Sequence, residues 1–148
     1  VELSGAPVQV NFEAPPGPEA EQLPLGRYVK KLKPGRRLYV VARNLRADVQ
    51  PGVLYHVYFD LPPGTTPKPG KRDPHYVGTL NFFDAHDHEG GAEAAGTAKF
   101  RSFDITRVAK NLQATKRLSA KPALTIAPAN QPEADAKPVV GEITVVEQ

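Results

Sequence analysis

The chain has 148 residues, with 19 Lys and Arg against 16 Asp and Glu, four His, and no Cys, Met or Trp. That length fits one domain able to bury about two-thirds of its unfolded surface. The lack of cysteine removes disulfides, thiolate nucleophiles and zinc–thiolate sites, and no apolar run approaches the roughly 18 residues of a membrane span. The start at Val1, with no Met anywhere, reads as a processed piece or fragment without a signal peptide of its own. Composition points to no compartment.

Sixteen prolines and twelve glycines cut the sequence into short segments, which favours β-structure with many turns over a helical bundle. Val8, Val10 and Phe12 alternate with polar residues, as in a half-buried first strand. The stretch 13–25 (EAPPGPEAEQLPL) is rich in Pro and acid and reads as an extended linker. The chain therefore divides into 1–26, a strand and linker, and 27–148, a β domain. Arg27, Lys30, Lys31, Lys33, Arg36, Arg37, Arg43 and Arg46 follow with no acid among them. This is read as a solvated face beside strands. Aromatic interleaving is thin there, so nucleic acid is a poor fit as a partner.

From Arg36 the pattern is strand after strand. RRLYVVARNLR (36–46) carries β-branched and aromatic residues, and VLYHVYFDL (53–61) places Val53, Tyr55, Val57, Phe59 and Leu61 on one face. The loop PPGTTPKPGKRDP (62–74) holds too many prolines for regular structure. YVGTLNFFD (76–84) places Tyr76, Gly78, Leu80 and Phe82 on one side, and AKFRSFDI (98–105) is a further strand. A short helix follows, capped by Asp104 or Thr106, with Ile105, Val108, Ala109 and Leu112 at helical spacing and an end near 111–113. PALTIAPA (122–129) and VVGEITVVE (139–147) close the chain. About seven short strands and one short helix predict a mostly β fold, an antiparallel β-sandwich or jelly-roll.

The chemistry on offer is sparse. His86 and His88, with Asp84, Asp87 and Glu89, bring imidazole and carboxylate donors to one loop, a set that suits zinc or copper. A closed site takes three or four ligands, usually from more than one segment, and only His56 and His75 remain to add imidazole. The loop therefore reads first as a solvated turn and second as a point of copper capture through His86, His88 and Asp84. No GxSxG elbow or phosphate-binding glycine motif is present, so the chain is not expected to be an enzyme by itself. Odd-spaced aromatics put Tyr58 and Phe83 on the outer faces of their strands, where rings serve as interface candidates.

Five segments in order over some 120 residues resemble the C-terminal domain that follows the dicopper domain of tyrosinases and polyphenol oxidases, nearest to the bacterial long form. They are RRLYVVARN, PGVLYHVYFDLP, DPHYVGTLNFF, FRSFDITRVAKNL and ALTIAPANQPEADAKPVVGEITVVE. The second departs from the plant pattern at two of four positions, reading Leu54, Tyr55, His56 and Val57. The resemblance implies a partner catalytic domain that carries the type-3 dicopper centre, with three histidines per copper. With four histidines, this chain cannot supply that set, so no cofactor is expected in it. The resemblance further implies a non-catalytic shield over the copper entrance that keeps the enzyme latent, with an inserted ring standing in for a phenol. Tyr58, Tyr76 and Phe83 are the candidate substrate mimics or interface residues, and the loop 62–74 is the segment expected to protrude. The parent enzyme would oxidise monophenols or diphenols to quinones with oxygen. A free-standing sandwich that captures or delivers copper is the alternative.

Overall fold

The computed structural model describes residues 1–3, 5–11, 25–49, 51–67, 73–82, 100–119 and 122–148. In chain order the elements are β1 (Val8–Asn11), α1 (Leu25–Lys30), β2 (Leu38–Arg46), β3 (Tyr55–Phe59), β4 (Tyr76–Leu80), β5 (Phe100–Asp104), α2 (Thr106–Ala114), β6 (Ala123–Pro128) and β7 (Val139–Glu147). Two antiparallel sheets form, ordered β1-β6-β3-β4 and β5-β2-β7. The strands expected from alternation are all present, and the last matches its expected span residue for residue. The first strand is an edge of the four-stranded sheet, paired to β6 from Val8–Ile126 to Asn11–Ala123.

Alternation explains the core. Tyr55, Val57 and Phe59 of β3, Leu80 of β4, and Leu124 and Ile126 of β6 are buried and cluster with Leu38, Val40 and Ala42 of β2 and Val145 of β7. Each large apolar side chain removed from water contributes about 1.5–3 kcal/mol, so this layer outweighs any single polar contact in holding the sheets together. α2 closes one end: Val108, Ala109 and Leu112 are buried, as their spacing predicts, and the helix packs on α1. Its first turn is held by the Asp104 carboxylate, which accepts the Thr106 amide at 2.9 Å. The Thr106 hydroxyl accepts the Leu38 amide at 2.8 Å, which ties the helix start to β2.

Two features depart from simple alternation. The second helix, α1, was not expected: it has six residues, with no acid in its first turn, and falls where the sequence suggests only a linker and a basic stretch. The other departure lies between β2 and β7. Pairing runs from Leu38–Glu147 to Arg43–Glu142, then resumes at Leu45–Val140, leaving Asn44 and Gly141 out of the ladder. Inward positions shift with it, from Leu38, Val40 and Ala42 to Leu45 on β2, and from Val140 to Ile143 and Val145 on β7. Asn44 takes a left-handed φ of 56° there, a conformation Asn tolerates better than most residues. A β-carbon on Gly141 would lie 2.7 Å from that of Asn44, so the step needs glycine.

The N-terminus adds a short strip to the same sheet. Val1 and Val140 exchange backbone hydrogen bonds of 2.5 and 2.8 Å, and the Leu3 amide donates to Pro138 at 2.8 Å. Among the described residues no helix is long and apolar enough to cross a membrane.

Candidate functional site

The chemistry-bearing side chains gather on the outer face of the four-stranded sheet, where β3 meets β4. A bulge shapes this corner. Pairing passes from Val57–Gly78 to Tyr58–Tyr76, so Val77 is an extra residue that bends the strand and turns Tyr76 away from the face of Leu80 and Phe82. Tyr76 was expected to share their side; it packs instead on the second, outer cluster with Tyr58, Leu61 and Ala127. Leu61 was likewise expected beside Phe59. Asp60, at a left-handed φ of 54°, breaks the alternation and sends it to the outer cluster.

Tyr58 and Tyr76 meet edge to face, with ring centroids 5.7 Å apart and planes at 67°. The His56 ring also lies 5.8 Å from that of Tyr76. Tyr58 does point outward, as its spacing predicts, but it is only 1% exposed. It offers no ring to a partner unless the surface moves. Burial, with the negative charge of Asp73 and the neighbouring Tyr76, pushes its phenol above the ordinary tyrosine value, so the group stays neutral at physiological pH. Tyr76 is half-buried and is the one of the two with free surface. Nδ1 of His56 is buried without a hydrogen-bond partner.

The proline-rich excursion leaves from this corner and returns to it. Positions 62–66 are exposed, turning at Gly64 with a φ of 76°. Both stems are clamped. On the outgoing side the Asp60 carboxylate accepts the Ser119 hydroxyl at 2.5 Å and the Ser119 amide at 2.8 Å, while the Asp60 amide donates to Ala123 at 2.8 Å. On the returning side His75 is 8% exposed; its amide donates to the Asp73 carboxylate and its carbonyl accepts the Phe59 amide. Nδ1 of His75 lies 2.9 Å from the Phe59 carbonyl, a contact that fixes the proton on Nδ1. In the sequence His75 reads only as a spare imidazole, and Asp60 belongs to no motif. The adjoining turn, with Asp60 after an alternating run, is the only local hint of the clamp.

Phe83, Asp84, His86 and His88 lie outside the described residues. Among the described residues no group of three His, Cys, Asp or Glu is placed to hold a metal ion. His56 and His75, the two histidines described, are both taken up in packing on the β3–β4 corner. Two imidazoles so engaged, in a chain of four histidines, do not fit a centre that takes six. The basic stretch is partly neutralised by acids from distant elements. Arg36 pairs with Glu147 at 3.0 Å and Arg37 with Asp104 at 2.6 Å, and the Tyr28 hydroxyl also donates to Glu147.

The fold has solved counterparts. A recombinantly expressed latent aurone synthase, a polyphenol oxidase, is similar over 99% of this chain and 26% of its own, at 16% identity and a TM-score of 0.57. The same enzyme from its natural source is similar over 95% of this chain and 24% of its own, at 18% identity and a TM-score of 0.51. The chain thus spans about a quarter of the length of these structures, and at such identities the likeness is one of fold. No curated protein sequence matches it. A family model matches residues 1–148 in full, and the chain belongs to that family, described as Domain of unknown function (DUF7868).

Proposed function

We propose that this sandwich is the non-catalytic covering domain of a tyrosinase-type dicopper phenol oxidase, seated over the entrance to the copper site and holding the enzyme latent. One observation carries the reading: nearly the whole chain shares its fold with about a quarter of a latent polyphenol oxidase. The copper pair belongs to the partner catalytic domain, which oxidises monophenols or diphenols to quinones with oxygen. The β3–β4 corner suits the part of the cover that faces the copper. Tyr76 presents a phenol on a rigid strand, and the exposed turn 62–66 projects beside it on two clamped stems. A tethered ring needs little intrinsic affinity, because the tether supplies a high effective concentration. Phe83 remains a second candidate for the inserted ring.

Titrating this chain into the separately produced catalytic domain is the test. Phenol oxidation falls in a saturable way as the chain is added, and Tyr76→Ala weakens the inhibition. Unchanged oxidation at large molar excess overturns the reading.

A further inference from the structure

The three-stranded sheet ends on β7, the longest free edge among the described strands. At nine residues, VVGEITVVE, it carries neither Lys nor Pro, two devices by which natural edges are kept from pairing. Residues 1–3 cover only its beginning, at Val139 and Val140, and Pro138 just ahead of it. Which backbone groups remain follows from the ladder. Arg37 and Gln148 exchange both of their hydrogen bonds, at 2.7 and 2.9 Å. In an antiparallel pair that pattern repeats every second residue, so Val146, Thr144 and Glu142 face β2. The amides and carbonyls of Ile143, Val145 and Glu147 face away from it, and among the described residues nothing bonds them.

The direction of the N-terminal strip is the second observation. Residues 1 to 3 run antiparallel to 140 to 138, so a chain arriving at Val1 comes from the Glu147 end, along the uncovered edge. A groove of about 240 Å³ opens at that point, between Val1, Val10 and Asn11 on one side and residues 140–144 on the other. We propose that the polypeptide joining the catalytic domain to this one is laid along β7 as a fourth strand of the sheet, resuming the pairing that Val1 makes with Val140 beyond the Gly141 step, where the facing of β7 reverses, on Ile143 and Val145. This inference rests on the reading that a catalytic domain is joined ahead of Val1. The added strand makes the linker part of the fold and fixes where the catalytic domain leaves the sandwich, at the Glu147 end of β7. That end also carries Tyr28 and Arg36 on Glu147.

Amide hydrogen exchange on the full-length protein and on the 148-residue chain tests it. The amides of Ile143 and Val145 exchange at least about tenfold more slowly in the full-length protein, because each gains a partner. Proline placed singly through the stretch ahead of Val1 restores fast exchange at alternate positions only, since every second amide of a strand faces its neighbour. Equal exchange in the two proteins overturns the inference, and so does protection that no single proline removes, which belongs to a domain docked from outside. Phenol oxidation by the same full-length protein is read separately. Oxidation without protection sinks the strand and spares the proposed function, whereas protection without any phenol oxidation after activation does the reverse.

Discussion

The two long sides of the sandwich are closed in different ways. On the β4–β5 side a side chain bridges the sheets: Phe103 of β5 lies over Gly78 of β4, where a β-carbon would sit 3.1 Å from the ring. On the β1–β7 side the tight contact is between neighbouring strands of one sheet, at Asn44 and Gly141, and the neighbour is largely backbone. A ring can tilt by a few tenths of an ångström, but a ladder locked by hydrogen bonds on both flanks cannot. The same substitution therefore has unequal consequences on the two sides.

Gly141→Ala is the harsher change. Its β-carbon meets Asn44 at 2.7 Å with the Asn44 and Arg43 carbonyl oxygens close behind. Overpacking of this kind costs about 1–3 kcal/mol, and the upper end is expected. Urea unfolding would show a lowered midpoint, and an unchanged one would mean that the Asn44–Gly141 step is soft. Gly78→Ala is expected to cost about 1 kcal/mol, because Phe103 is half-buried and free to shift. If it costs as much as Gly141→Ala, the distinction between a movable ring and a fixed ladder is lost.

A smaller effect is expected from protons, again on the β5 side. Burial alone would raise the Asp104 carboxyl, but hydrogen bonds from Thr106 and the Arg37 guanidinium outweigh it and hold the group below the ordinary carboxylate value. Its stabilising contribution is therefore present above the unfolded carboxylate value and is lost as pH falls through the folded one. Asp104→Asn should narrow the stability gap to the parent on acidification, by a fraction of the Gly78 effect. The pair is partly exposed, so salt should shrink it too. A gap that is the same at neutral and acid pH would show that Asp104 acts only as a neutral cap.

Period-two alternation made most of this fold legible. Tyr55, Val57 and Phe59 announce an inward face, and so do Ile143 and Val145. The reading failed where a residue outside the strand's own pattern decides. Asn44 and Gly141 reverse the inward face on two strands at once, which neither strand's residues show alone. Val77 turns Tyr76 to the other side because its partner strand lacks a matching residue. Alternation puts Tyr58 on the outer face, yet its burial depends on Tyr76, which arrives from the next strand. α1 is too short for periodicity to mark. At the candidate site the aromatic residues were visible in sequence, but the clamp was not, because Asp60 meets Ser119 across 59 positions.

That clamp makes covalent continuity of the excursion dispensable. With Asp60 held on α2's trailing segment and His75 held on Phe59, the two stems stay registered whether or not the tip between them is intact. A protease that cut the exposed residues between Pro62 and Thr66 would leave a nicked domain, with both pieces retained through the sheet and the core. Trimming at that point would reshape the β3–β4 corner without releasing either piece.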